Sequence, residues 1–260
     1  MKEQILNLVK LDPKPRTRGI TAAIDGGLGM SVFRDAVELN ADHLDFVKFG
    51  WGSAFITKTL DEKIKVLRDN NVDFWIGGTA FEIALAQRKA DAFVDWVAGL
   101  GAKHFEVSDG SIVLPEDEKI EWIHRLSKQF SVFSEIGSKD VAHVMTPREW
   151  IRRIRAEKDA GAWKIIAEGR ESGTVGMYRS TGEVREGLVE EIRESGIDLD
   201  DMIFEAPQKS QQAWLVRRFS EHVSLGNIAL EQVLGLQALR LGLRGDTIFL
   251  SISEASQPTD

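Results

Sequence analysis

Short apolar runs recur along this chain at near-regular intervals. They read "GITAAID" at 19–25, "HLDFVKFG" at 43–50, "VDFWIGG" at 72–78, "KHFEVSDG" at 103–110, "SVFSEIG" at 131–137, "KIIAEG" at 164–169, "MIFEAP" at 202–207 and "VSLGNI" at 223–228. They are rich in β-branched and aromatic residues and are bounded by Gly, Pro or charge, which predicts strands. Their starts lie roughly 20 to 40 residues apart, room for one strand and one helix each.

Between the runs the period changes. In "LDEKIKVLRDN" (60–70), Leu60, Ile64 and Leu67 share one helical face, with charges opposite. Segment 82–101 predicts one helix that stops at Gly99 and Gly101. Segments 116–130 and 146–161 are amphipathic. The second opens with Thr146 as N-cap and Pro147 at the first helical position. Further helices are predicted over 186–196, 210–220 and 229–243.

Eight strands alternating with helices predict an α/β fold, a (β/α)8 TIM barrel forming a single domain over residues 1–260. Loose ends are expected over about the first 15 residues and from about 251 to 260. A doubly wound open sheet shares the same alternation. However, "DGGLG" after the first strand has the wrong spacing for a dinucleotide loop.

Composition narrows the function. A net charge of −8 and a pI near 5.3 argue against a nucleic-acid partner. No run approaches the roughly 18 apolar residues of a membrane span. The N-terminus reads without a signal peptide. Cysteine is absent, which removes disulfides, thiolate metal sites and a cysteine nucleophile, and fits a cytoplasmic setting. An acidic exterior carrying Trp and Leu positions leads us to expect a homo-oligomer.

In a (β/α)8 barrel, chemistry sits at the C-terminal ends of the strands. Those ends carry Asp25, Lys48, Asp109, Glu135 with Lys139, Glu168 with Arg170, Glu205 and Asn227, and Glu82 follows the third. A single acid after a strand is ordinarily a helix cap or a solvated loop charge; a whole ring of them points to a site. Clustered carboxylates without cysteine suit an oxygen-bound hard cation, Mg²⁺ above all. Lys48, Lys139, Arg170 and Lys209 suit phosphate, carboxylate or another oxyanion. His43 and His104 sit at strand starts, the wrong end, and His124 lies within a helix. Lys139 is therefore the best candidate proton donor. Trp51, between two glycines in "FGWGS", is a candidate pocket wall or a packed loop residue.

The ordered set "DFVKFGWGS", "GGTAFE", "FEVSDG", "EIGSKD", "IIAEGRESG", "FEAPQKSQQ", "LGNI" and "LRGDT" resembles the phosphosulfolactate synthase family from about Thr17 to Thr247. The resemblance implies a Mg²⁺-dependent (β/α)8 lyase that adds sulfite to phosphoenolpyruvate, giving (2R)-phospho-3-sulfolactate, a step that opens coenzyme M biosynthesis in archaeal relatives. It implies catalytic roles for Lys139, Arg170 and Glu168, with Lys139 as the acid. Lys48, Lys209, Asn227 and Asp25 would meet the small anionic substrates. Glu135, Glu205 and Asp109 would hold or support the metal. Ser53 stands where the family pattern has Thr, and "DGGLG" replaces Asp-x-Gly. Two other readings stay open: a different (β/α)8 lyase or aldolase acting through a lysine Schiff base, and a non-catalytic barrel like the heat-stress-associated relatives in plants.

Overall fold

In the computed structural model, residues 5–137, 145–170 and 172–252 are described. Strand β1 (Thr21–Asp25) leads into α1 (Met30–Asn40), β2 (Phe46–Phe49) into α2 (Leu60–Asp69), and β3 (Asp73–Ile76) into α3 (Gly78–Ala86) and α4 (Ala90–Gly99). Then β4 (His104–Val107) is followed by α5 (Glu116–Leu126), β5 (Ser131–Ile136) by α6 (Pro147–Asp159), and β6 (Lys164–Ala167) by α7 (Glu186–Glu194). Last come β7 (Met202–Glu205) with α8 (Lys209–Phe219), and β8 (Leu225–Ala229) with α9 (Val233–Arg240).

The eight strands form one parallel sheet in the order 3-2-1-8-7-6-5-4, a nearly closed (β/α)8 barrel. Seven of the eight apolar runs contain their whole strand, and β8 runs one residue past the eighth, to Ala229. Thr146 caps α6 as its sequence predicts, its hydroxyl accepting from the Glu149 amide at 3.3 Å. The expected single helix over 82–101 is instead two. Arg88 adopts a left-handed φ of 56° between α3 and α4, which no continuous helix tolerates. Helix α1 was not apparent in the sequence: its buried Phe33, Val37 and Asn40 make a narrow stripe that includes a polar residue.

Strand parity decides what each strand end presents. Ile20, Ala22, Phe46, Trp75, Phe133, Ile166 and Ile203 fill the barrel floor as one buried cluster. Successive strand side chains alternate between faces. The residue two beyond a floor residue therefore also points inward, one layer higher. Phe46 leads to Lys48, Phe133 to Glu135, Ile166 to Glu168 and Ile203 to Glu205. The packed floor closes the cavity from below, and truncating Phe133 to Ala there would cost about 3–5 kcal/mol.

The barrel is sealed differently at one place. β3 and β4 are neighbours at the two ends of the sheet order, with no backbone ladder between them. The side chain of Glu106 bridges them, accepting from Trp75 Nε1 at 2.6 Å and from the Gly78 amide at 2.5 Å. Gly78 is required here, since a Cβ would lie 2.3 Å from Ser108 Oγ and 2.7 Å from Glu106 Oε1.

Candidate active site at the barrel mouth

A cavity of about 220 Å³ opens over this layer, at the C-terminal ends of the strands. Lys48, Glu106, Glu135, Glu168, Arg170, Glu205 and Asn227 line it, with Trp51 on its wall. Trp51 has a left-handed φ of 52°, and its ring lies over Gly26, where a Cβ would sit 2.8 Å from it.

Lys48 is the hub. Its Nζ donates to Glu205 Oε1 at 2.9 Å and lies 3.3 Å from Glu106 Oε2 and 3.5 Å from Glu135 Oε2. Burial alone would lower the ammonium pKa, but Glu106, Glu205 and Glu135 outweigh it and raise it well above its ordinary value. Burial also raises Glu106; Lys48 opposes that rise and Glu135 adds to it.

Glu135, Glu168 and Glu205, from three successive strands, bring one carboxylate oxygen each within 4.8 Å of the others, and all three are buried. Such an all-oxygen, anionic donor set fits a hard divalent cation. Glu205 is also braced. Its Oε2 accepts from the Gly169 amide at 2.9 Å and the Arg170 amide at 3.0 Å, and its carbonyl accepts from Tyr178 Oη at 2.5 Å. The Arg170 amide also donates to Glu168 Oε1 at 2.6 Å. The left-handed turn at Arg170, φ 57°, aims that amide inward, and Arg170 is one of the residues that line the cavity. Asn227, φ 53°, sits at an irregularity in the β1–β8 register, a bulge that turns its side chain toward the mouth. Among the described residues its buried Oδ1 has no hydrogen-bond partner.

Six of the residues singled out in the sequence thus meet in one cavity: Lys48, Glu135, Glu168, Arg170, Glu205 and Asn227. Lys139 lies outside the described residues. Four others are positioned elsewhere; Glu82, on α3, accepts from Ser108 Oγ and from the Ser111 amide at 2.7 Å, outside the cavity lining. Asp25 is one residue out of phase with Ile24 and points outward, where Lys63 Nζ holds it at 2.5 Å and it accepts from the Gly27 and Leu28 amides. Asp109 points outward too, 3.0 Å from Lys119 Nζ and 2.5 Å from Arg153 Nη2, and is not part of the carboxylate triad. Lys209 opens α8 at the surface and pairs with Asp246 at 2.6 Å. The sequence reading missed Glu106. Its signal was available: a charge inside the run "HFEV", flanked by apolar residues and matching Lys48 in layer.

A family model described as (2R)-phospho-3-sulfolactate synthase (ComA) matches residues 10–246. The chain belongs to that family. Membership makes it an enzyme of the phosphosulfolactate synthase type. It is 40% identical over 252 residues to the phosphosulfolactate synthase of Bacillus subtilis, covering 96% of this chain and 100% of that one. To the phosphosulfolactate synthase of Methanothermobacter thermautotrophicus it is 37% identical, covering 90% and 93%. Among solved structures, 3-hexulose-6-phosphate synthase from Salmonella typhimurium superposes with a TM-score of 0.56 at 13% identity, covering 86% of this chain and 99% of that one, a likeness of fold alone. No helix among the described residues is long and apolar enough to cross a membrane.

Proposed function

We propose that this enzyme joins sulfite to phosphoenolpyruvate in a Mg²⁺-dependent reaction. The observation that carries the proposal is the pairing of a buried carboxylate triad, Glu135, Glu168 and Glu205, with the cations Lys48 and Arg170 around one small cavity. Two anionic substrates repel each other in water; around this cavity four carboxylates outnumber Lys48 and Arg170, so the divalent cation that the triad would hold, together with Arg170, is what would offset that repulsion.

The chemistry demands charge stabilisation. The sulfur lone pair of sulfite forms a bond to C3 of the enol phosphate. The C2–C3 π pair then moves toward C2 and the carboxylate, and a proton delivered to C2 completes the addition. Glu135, Glu168 and Glu205 would hold Mg²⁺, which supplies the fixed positive charge that the developing enolate needs. Lys48 keeps the carboxylates Glu106, Glu135 and Glu205 neutralised and in place. Arg170 offers a planar guanidinium to a phosphate or sulfite oxygen. Asn227 presents a side-chain amide at the cavity, whose N–H groups can donate to a substrate oxygen. Lys139 is the proton donor in this reading. A cytoplasmic setting suits such a phosphorylated substrate and a cysteine-free chain.

Imine chemistry at Lys48 finds no support, because three carboxylates hold its ammonium protonated and an imine needs the free amine. The test is direct. Purified protein mixed with phosphoenolpyruvate, sulfite and Mg²⁺ should give a new ³¹P resonance for the phosphosulfolactate adduct, and EDTA should abolish it. Folded protein that gives no adduct would refute the substrate pair, and turnover that survives EDTA would refute the metal.

A further inference from the structure

A second buried charge cluster lies outside the cavity, in the layer between β4–β5 and α5–α6. Lys119 of α5 and Glu157 of α6 are both fully buried, and Asp109 and Arg153 nearly so. Lys119 Nζ donates to the backbone carbonyl of Glu135 at 2.6 Å and to Asp109 Oδ1 at 3.0 Å, and lies 3.1 Å from Glu157 Oε1. Those three acceptors match the three protons of an ammonium group. Glu157 Oε2 in turn accepts from Ser134 Oγ at 2.6 Å. Arg153 closes the network, 2.5 Å from Asp109 and 3.3 Å from Glu157.

This cluster grips two consecutive residues of one strand. The last β4–β5 pair is Val107–Ser134, so Glu135 lies one residue beyond the point where β4 ends. Its carbonyl has lost its neighbouring strand, and Lys119 supplies the missing donor. The inward side chain of that same residue is one of the three candidate metal ligands. Around the cluster the layer is apolar, with Phe105, Ile123, Leu126, Ile136 and Ile154 all buried. Two cations and two carboxylates are a costly filling for such a layer, where apolar side chains of equal volume would serve stability at least as well. Their yield is geometric: they fix where the end of β5 stands.

We propose that Lys119, held by Asp109 and Glu157, is a positioning residue that sets the Glu135 carboxylate in the metal site. The inference rests on the metal reading above, and its test separates the two. Mn²⁺ binding is measured by electron paramagnetic resonance and calorimetry in the unaltered chain, in Lys119→Met, and in the charge-balanced Lys119→Met/Glu157→Gln, which leaves Arg153 paired with Asp109. Leu215→Ala, a buried position on α8, serves as a destabilised control. In samples shown folded by circular dichroism, Mn²⁺ affinity should drop roughly 10- to 100-fold in both Lys119 variants and change little in the control. The Mn²⁺ spectrum of the bound ion should alter as well. Unchanged affinity and spectrum in the double variant would overturn the positioning role while leaving the metal site standing. An unaltered chain that binds no Mn²⁺ would overturn the metal reading and this inference with it.

Discussion

Two lysines in this barrel are buried among carboxylates, and they differ in what lies on their open side. Lys48 rises from inside the barrel, meets Glu106, Glu135 and Glu205, and lines the mouth cavity. Lys119 comes from the helix layer, meets Asp109, Glu157 and a carbonyl, and borders neither the mouth cavity nor solvent. The first knot carries more carboxylates than Lys48 can balance and opens to incoming ions. The second is balanced, two cations to two carboxylates, and sealed. One is arranged to receive a ligand and the other to hold a strand end still.

Breaking the open knot should have the largest effect on chemistry. Glu205→Gln removes a triad oxygen and weakens the hold on Lys48, so ³¹P-monitored product formation should fall roughly 100- to 1,000-fold with the fold retained. A rate near that of the unaltered chain would strip Glu205 of its role. Breaking the sealed knot should cost most in stability. Lys119→Met leaves Glu157 and Asp109 with only Arg153, and urea unfolding should register a loss of about 3–5 kcal/mol. Lys48→Met should lose less, because solvent and ions reach the mouth.

Alkaline pH probes the open knot and the tyrosine that braces it. Lys48 is raised well above 10.5, and Tyr178, through burial and the nearby Glu205, well above 10.0. In each case the folded state keeps a proton that the unfolded chain releases. Their contribution is therefore complete below about pH 10 and lost as pH rises through the folded values. The urea midpoint should decline from about pH 10 upward, and Lys48→Met and Tyr178→Phe should each flatten that decline. The smallest effect belongs to a surface pair joining the same two helices as the sealed knot. Arg152 and Glu116 are partly exposed, and Arg152→Ala should shift stability by no more than about 1 kcal/mol in urea unfolding. A larger loss would mean that the buried cluster depends on its exposed neighbour.

The barrel was legible because every strand carries enough apolar residues to stand out from helices with a longer period. The site was legible only in part, because a strand end is one position and an inward side chain is another. Glu135, Glu168 and Glu205 satisfy both conditions. Asp25 and Asp109 satisfy the first and fail the second by a single residue, so they serve the helix layer instead. Glu106 satisfies the second and was hidden inside its strand, where a charge flanked by Phe105 and Val107 reads as part of the run. Lys209 stands outside the cavity for another reason. Its partner Asp246 lies beyond α9, and the packing of α9 on α8 brings the two together at the surface.

The seam between β3 and β4 has a consequence for how this enzyme can evolve. Elsewhere the wall is backbone, indifferent to side-chain identity. At the seam it is the carboxylate of Glu106, which also faces Lys48 in the cavity. A lineage that retuned this part of the mouth for another substrate would be editing the closure of the barrel with the same substitution. Drift toward new specificity should therefore proceed through Arg170, Asn227 and the loops above them, while residue 106 stays fixed by architecture.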